Sequence, residues 1–258
     1  MDEQIKKLQE MINDSSKIVF FGGAGVSTES GVPDFRSVDG LYHQKWKYPP
    51  ETMLSHSFYV SHTDEFYEYY FEKLLVEDIG PDAKGPKEIK PNKAHLKLAE
   101  LEEKGKLIGV VTQNIDGLHQ KAGSKKVYEL HGSIHRNFCT KCGKFFDGGY
   151  MLMHNKDDEG RYIAPKCDDC GGVIKPDVVL YEEGLDGNVL NGAIDALSRA
   201  DMLIIGGTSL VVYPAAGLVD YFRGKYLVVI NKTPTGRDKM ADLSISGSIG
   251  EVLGQIEV

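Results

Sequence analysis

Two Cys-x-x-Cys pairs, Cys139 with Cys142 and Cys167 with Cys170, hold all four cysteines of the chain. Two thiolates in one tight knuckle can turn toward a single ion, and four thiolates close a tetrahedral site that suits zinc and leaves no position for a substrate. The expected metal is therefore one structural Zn2+. Residues 143–166 separate the pairs, slightly longer than a usual ribbon spacer, and predict a loop excursion over 147–161. A disulfide framework fits this clustering less well than a metal site in a reducing compartment.

Phe21-Gly22-Gly23-Ala24-Gly25-Val26-Ser27 follows an apolar run, and such small residues let backbone N–H groups and a helix N-terminus approach a pyrophosphate. The dehydrogenase pattern Gly-x-Gly-x-x-Gly is not met, because Thr28 breaks it and no acidic residue closes a second strand at the required distance. Taken alone, the segment leaves a plain glycine turn open. Further along, Thr112-Gln113-Asn114-Ile115-Asp116 taken by itself reads as a strand-end turn with Asp116 capping a helix over 117–121. His131-Gly132 places an imidazole at another strand end.

The elements that must position these residues alternate along the chain. Candidate strands lie at 17–23, 107–114, 127–131, 178–181, 202–208, 226–231 and 243–246. Several are continuous apolar runs, as strands buried on both faces of a parallel sheet require. Helical patterns occupy 1–16, 63–76, 92–104, 188–199, 214–222 and 249–256. The predicted fold is α/β, a doubly wound Rossmann-like parallel sheet, which binds ligands at the carboxyl ends of its strands. Two stretches break the alternation: 40–91, aromatic and proline-rich, and 134–176, which carries the cysteines. They predict a smaller lobe, a helical insertion plus a zinc ribbon, over the crevice. The corresponding division assigns 1–39, 92–133 and 177–258 to the Rossmann-like domain and 40–91 with 134–176 to the small lobe.

A net charge of −8 argues against a surface built for nucleic acid phosphates, and the lysines and arginines near the cysteines are interleaved with acidic residues as on a solvated face. Residues 1–16 read as an amphipathic helix with Ile5, Leu8, Met11 and Ile12 inward, not as a signal peptide, and no later run is apolar for long enough to span a membrane. The expected location is cytoplasmic.

The segment Gly23-Ala24-Gly25-Val26-Ser27-Thr28-Glu29-Ser30-Gly31-Val32-Pro33-Asp34-Phe35-Arg36 closely resembles the first signature of the sirtuins (Sir2-like proteins). Thr112 to Asp116, His131-Gly132, the cysteine knuckles, Gly207-Thr208-Ser209-Leu210 and Ile230-Asn231 follow in that family's order, so the resemblance to its short bacterial form spans about 17–250. It implies an NAD-dependent protein lysine deacetylase that transfers the acyl group of an acyl-lysine protein or peptide to ADP-ribose, with NAD as cosubstrate.

Carried over residue by residue, the resemblance puts Ala24, Thr28, Phe35 and Arg36 along the diphosphate and nicotinamide ribose. Thr208 and Ser209 would meet the diphosphate and ribose, Asn231 the adenosine ribose and Ile249 the adenine. Gln113, Asn114, Ile115 and Asp116 would form the nicotinamide pocket, with Asn114 also ordering the ribose and a water. His131 would act as general base: the acyl oxygen attacks the ribose carbon that loses nicotinamide, and the neutral imidazole then deprotonates a ribose hydroxyl. Phe35 would keep water from the activated sugar. The peptide would bind as an added strand between Val179, Tyr181 and Glu182 on one side and Tyr213 on the other.

Two departures mark this chain. Many members carry Phe-Gly-Glu where Tyr181-Glu182-Glu183 stands, and a carboxylate at 182 favours basic residues flanking the target lysine. The Tyr-x-x-Arg pair that holds acidic acyl groups has its nearest counterpart in Tyr67-Glu68-Tyr69-Tyr70, which lacks the arginine, so acetyl and other apolar acyl groups are expected. A nicotinamide oxidoreductase and a zinc-ribbon binding module on an inactive nucleotide fold are the rival readings. Release of nicotinamide without reduction of NAD separates the first from an acyl transferase.

Overall fold

The buried runs form strands because each has two faces to cover. A computed structural model describes residues 3–35, 40–43, 45–75 and 89–258. Its strands are β1 (Ile18–Gly22), β2 (Leu107–Thr112), β3 (Val127–Glu129), β4 (Gly132–Cys139), β5 (Phe145–Phe146), β6 (Ile174–Val178), β7 (Met202–Gly206), β8 (Tyr226–Asn231) and β9 (Leu243–Ser246). Six of them make one parallel sheet in the order β3-β2-β1-β7-β8-β9. Every residue of β1 and of β7 is buried, which is why those segments show no alternation.

The helices are α1 (Glu3–Asp14), α2 (Pro50–Met53), α3 (His56–Ser61), α4 (Thr63–Lys73), α5 (Lys93–Glu103), α6 (Leu118–Lys121), α7 (Gly148–Met153), α8 (Gly187–Arg199) and α9 (Ile249–Leu253). One face of the sheet packs against α1, α5 and α9 through Leu8, Ile12, Leu98, Leu101 and Leu253, and the other against α8 through Ala193, Ala196 and Leu197. The chain runs outward from β1 to β2 and β3 on one side, then from β7 to β8 and β9 on the other. The order therefore reverses between β1 and β7, and an open α/β sheet binds ligands outside such a switch point.

A second sheet, β5-β4-β6, is antiparallel. With α2, α3, α4 and α7 it encloses a separate core in which Phe66, Tyr67, Tyr70 and Phe71 pack with Ile174, Met151, Cys139 and Cys167. Gly132 joins β4 to the large sheet at φ +77, and a Cβ there would lie 1.8 Å from Asp177 O, so only glycine admits this closeness of β4 to β6.

Three local expectations change. Residues 178–181 do not join the parallel sheet: Val178 ends β6, Val179 N donates to His131 O, and Tyr181 forms a bridge with Ser55. The helical pattern at 214–222 is a 3-10 helix, Ala215–Tyr221. The excursion between the cysteine pairs contains α7, whose first turn is capped by the Asp147 carboxylate accepting from Tyr150 N. No helix among the described residues is long and apolar enough to cross a membrane.

Candidate active site and metal centre

The turns after β1 and β7 meet at the switch point backbone on backbone. Gly25 N donates to Gly207 O at 2.8 Å, and a Cβ on Gly25 would lie 2.8 Å from Gly207 Cα. This close approach leaves a side-chain-free floor of the kind that admits a pyrophosphate. A crevice of about 860 Å³ opens over it. Ala24, Thr28, Phe35, Gln113, Asn114, Ile115, Asp116, His131, Thr208, Ser209, Asn231 and Ile249 all line it, as do Val179, Tyr181, Glu182 and Tyr213. Arg36 lies outside the described residues.

The end of β2 is organised by a residue that the sequence reading placed in a motif but gave no role. Ser27, fully buried, donates from Oγ to Asp116 Oδ2 at 2.6 Å and accepts from Asn114 Nδ2 at 3.0 Å. The second Asp116 oxygen accepts from Leu118 N at 3.0 Å, so this carboxylate also caps α6. The helix-capping alternative is thus realised in the same side chain that lines the crevice. Gln113 Nε2 donates to Thr208 Oγ1 at 3.0 Å, which ties the β2 turn to the β7 turn.

His131 stands on the β3–β4 connection with Nδ1 3.0 Å from Gln113 O. A carbonyl only accepts, so in the neutral ring the proton sits on Nδ1 and Nε2 keeps its lone pair. Burial pushes the His131 pKa below the ordinary value of 6.5, opposed by the bond to Gln113. The ring is therefore an unprotonated base near neutral pH, as general base catalysis requires.

The residues expected to meet the peptide are held from the small lobe. Tyr181 N donates to Leu54 O and His56 N donates to Tyr181 O, each at 3.0 Å. Glu182 adopts φ +76, and its carboxylate accepts from Ser57 N at 2.8 Å and from Ser57 Oγ at 3.0 Å. Both oxygens are thus directed at the first turn of α3, which sets the Glu182 charge against a helix N-terminus. Tyr213 is 71% exposed across the crevice and follows Val211, also exposed.

Tyr67 and Tyr70, the counterparts of the acyl-recognition pair, do not border the crevice but are buried in the small-lobe core, where Tyr67 donates to Ile174 O. Lys73 of the same helix does border it, with Nζ 5.3 Å from the Trp46 ring centroid. Nothing in the spacing of α4 distinguished this lysine from a solvated one.

The four cysteine Sγ atoms lie within 4.8 Å of one another, with Cys139 to Cys170 at 3.4 Å and Cys142 to Cys167 at 3.7 Å. A tetrahedral ion with Zn–S bonds of about 2.3 Å sets sulfurs about 3.8 Å apart, so the donor set fits zinc. Lys141 N and Cys142 N approach Cys139 Sγ at 3.4 and 3.5 Å, the orientation that stabilises a thiolate. None of the four borders the crevice.

The profile of the Sir2 family matches residues 23–214. A Clostridium acetobutylicum protein named NAD-dependent protein deacetylase is 57% identical over 253 residues, 97% of each chain. A solved Sir2 structure with p53 peptide and NAD+ matches with a TM-score of 0.79 at 38% identity, covering 98% of this chain and 96% of that one. Another, of a Sir2 variant with deacetylated p53 peptide and 3′-O-acetyl ADP-ribose, reaches 0.83 at 38% identity and covers 96% and 95%. A profile match over most of the length, joined to a relative more than half identical end to end, makes this chain a member of the Sir2 family.

Proposed function

We propose that this protein is an NAD-dependent protein lysine deacetylase, moving the acyl group of an acyl-lysine peptide to ADP-ribose and releasing nicotinamide and O-acyl-ADP-ribose. One observation carries the reading: His131, part-buried, its pKa lowered by desolvation and its Nδ1 turned to Gln113 O, shares a crevice with the Ser27–Asp116–Asn114 cluster and the Gly25–Gly207 floor. When bound, NAD supplies a ribose carbon that becomes electrophilic as nicotinamide departs, and the sugar that accepts the acyl group. Ala24, Thr28 and the Gly25–Gly207 floor hold the diphosphate, with Thr208 and Ser209 beside them. Asn231 and Ile249 take the adenosine end, and Arg36 belongs with the diphosphate set.

Gln113, Asn114, Ile115 and Asp116 surround the nicotinamide, with Ser27 fixing the Asn114 and Asp116 side chains. His131 Nε2 removes the proton from the ribose hydroxyl, and Gln113 O keeps the opposite ring nitrogen protonated so that the basic lone pair stays on one side. Phe35 covers the reacting sugar and excludes water. The peptide adds as a strand along Val179, Tyr181 and Glu182 and is closed from the other side by Tyr213. Cys139, Cys142, Cys167 and Cys170 would hold a zinc through all four thiolates, which would brace the small lobe and supply no catalytic step.

The same reading divides the chain into an NAD-binding domain of 1–39, 92–133 and 177–258 and a small lobe of 40–91 and 134–176. The small-lobe core, separate from the two cores on the faces of the parallel sheet, supports that division. It also puts the protein in the cytoplasm, where the four free thiols stay reduced for metal binding.

The test is turnover of an acetyl-lysine peptide with NAD followed by mass spectrometry. Wild type is expected to give nicotinamide and O-acetyl-ADP-ribose in equal amounts, with no reduced NAD, and His131→Ala to give neither. A folded, zinc-loaded wild type that turns over no acetyl, longer acyl or succinyl peptide refutes the reading.

A further inference from the structure

The Tyr181 hydroxyl lies 2.7 Å from the Tyr42 hydroxyl, across 139 positions of sequence. Tyr42 is the middle residue of a 3-10 turn, Leu41–His43. Its N–H donates to Phe35 O at 2.9 Å, Leu41 N donates to Asp34 O at 2.9 Å, and its ring meets Phe35 edge-on with centroids 5.8 Å apart. Phe35, Tyr42 and Tyr181 all border the crevice. Tyr181 in turn is fixed from behind, its N–H and C=O bonded to Leu54 and His56 and the next residue clamped on Ser57. The hydroxyl pair is thus a direct link between the backbone that carries Phe35 and the edge proposed for the peptide. The phenylalanine that many family members carry at this position keeps the ring and lacks the link.

We propose that the Tyr181 hydroxyl is a positioning group that couples cofactor binding to peptide binding in this chain through Tyr42. A ligand that packs on Phe35 from the cofactor side fixes, through the Phe35–Tyr42 backbone bond and ring contact, the Tyr42 hydroxyl for Tyr181. A peptide that orders Tyr181 returns the same advantage to the cofactor, because coupling between two sites is reciprocal. One hydroxyl pair at the rim of a crevice sets the scale: the affinity of either ligand rises by roughly two- to tenfold when the other is bound.

This inference rests on the deacetylase reading, and its test separates the two. The dissociation constant of an acetyl-lysine peptide is measured by calorimetry without and with saturating ADP-ribose, for wild type, Tyr181→Phe, Tyr42→Phe and the double variant. The expected result is a wild-type ratio above one that falls toward one in either single variant by roughly two- to tenfold, with no further fall in the double variant. The same ratio in all four proteins overturns the proposal. So does a loss of peptide affinity that is equal with and without ADP-ribose, which is the signature of a purely structural hydroxyl. A wild type that binds both ligands but releases no nicotinamide from NAD refutes the deacetylase reading while the ratios still decide the coupling, and one that binds no acetyl-lysine peptide overturns both.

Discussion

Acid should destabilise this protein through two histidines that lie beneath the β2 turn. His95 of α5 and His119 of α6 are buried with ring centroids 4.7 Å apart, and His119 also packs 6.1 Å from Phe20. His95 Nδ1 accepts from Asn92 N at 3.2 Å, whereas His95 Nε2 and both nitrogens of His119 have no hydrogen-bond partner among the described residues. Burial drives the His95 pKa from 6.5 down to about 4, against the opposing pull of the Asp116 carboxylate, and burial beside His95 lowers that of His119 well below 6.5. Both values are depressed in the folded state, so the unfolded chain binds more protons as pH falls. The stability gained by keeping the rings neutral is complete above pH 6.5 and is lost as pH falls toward the folded values. For His95 alone, moving from pH 7.5 to 5 removes about 2 kcal/mol, and His119 adds to it in the same direction. Urea unfolding at the two pH values measures the loss. His95→Asn retains an acceptor for Asn92 N and does not titrate, so the drop should shrink by about 2 kcal/mol whatever its stability at pH 7.5. An unchanged drop refutes the reasoning.

Other perturbations probe the site and its supports. Deacetylation by wild type should be flat through neutral pH and fall only below 6.5, because burial lowers the His131 pKa; an acid limb above 6.5 in kcat/KM contradicts that ring environment. Gly25→Ala drives a Cβ to 2.8 Å from Gly207 Cα, where no flexible side chain can yield, and the separated turns should cost about 10²-fold in kcat/KM with NAD while the melting temperature records a folded sheet. Zinc removal by a strong chelator should abolish turnover by loosening the core that contains Cys139, Cys167, Phe66 and Tyr67, read as lost near-ultraviolet dichroism with far-ultraviolet signal from the large sheet retained. Glu182→Ala loses the Ser57 bonds and keeps the positive φ, whereas Glu182→Gly is freed of that strain, so thermal melts should place the alanine variant about 1 kcal/mol lower.

The parallel sheet was legible because its strands are locally self-evident: 18–22 and 202–206 are apolar throughout, bounded by glycine, and buried throughout. The same signal misled at 178–181. Val178-Val179-Leu180-Tyr181 reads as a buried strand, yet its partners are His131 O, Leu54 O and His56 N, supplied by segments that no local pattern connects. Strand β4 escaped notice for the complementary reason, since Ser133-Ile134-His135-Arg136-Asn137-Phe138-Cys139 owes its shape to the cysteine knuckle and to β6 more than to its own alternation. At the site, residue types were legible and bonds were not. Ser27 looked like one more small residue of a glycine-rich turn, and its hold on Asp116 and Asn114 spans 89 and 87 positions. Lys73 and Tyr42 became visible as crevice residues only once the small lobe was folded over the sheet.

The switch point also explains why this nucleotide-type fold departs from the dehydrogenase pattern. A hydride enzyme uses the end of its second strand to anchor the adenosine ribose with an acid. Here β2 ends in Gln113-Asn114-Ile115-Asp116, and the Asp116 carboxylate is committed to Ser27 and to the cap of α6. The anchoring work on the proposed adenosine side then falls to β8 and α9, through Asn231 and Ile249, on the other flank of the Gly25–Gly207 contact. In the proposed reading a dinucleotide laid across that contact points its nicotinamide end toward β2 and β3, where His131 is hydrogen-bonded to Gln113 and Val179 is bonded to His131 O. The proposed base and the proposed peptide edge are therefore joined by adjacent backbone, so that on this reading a lysine presented along Val179 arrives beside the imidazole without any separate element to align them. Lengthening the 131–132 connection by one glycine should accordingly abolish acyl transfer while leaving NAD binding by calorimetry close to that of wild type, and equal loss of both would show that the two sites are not assembled in this way.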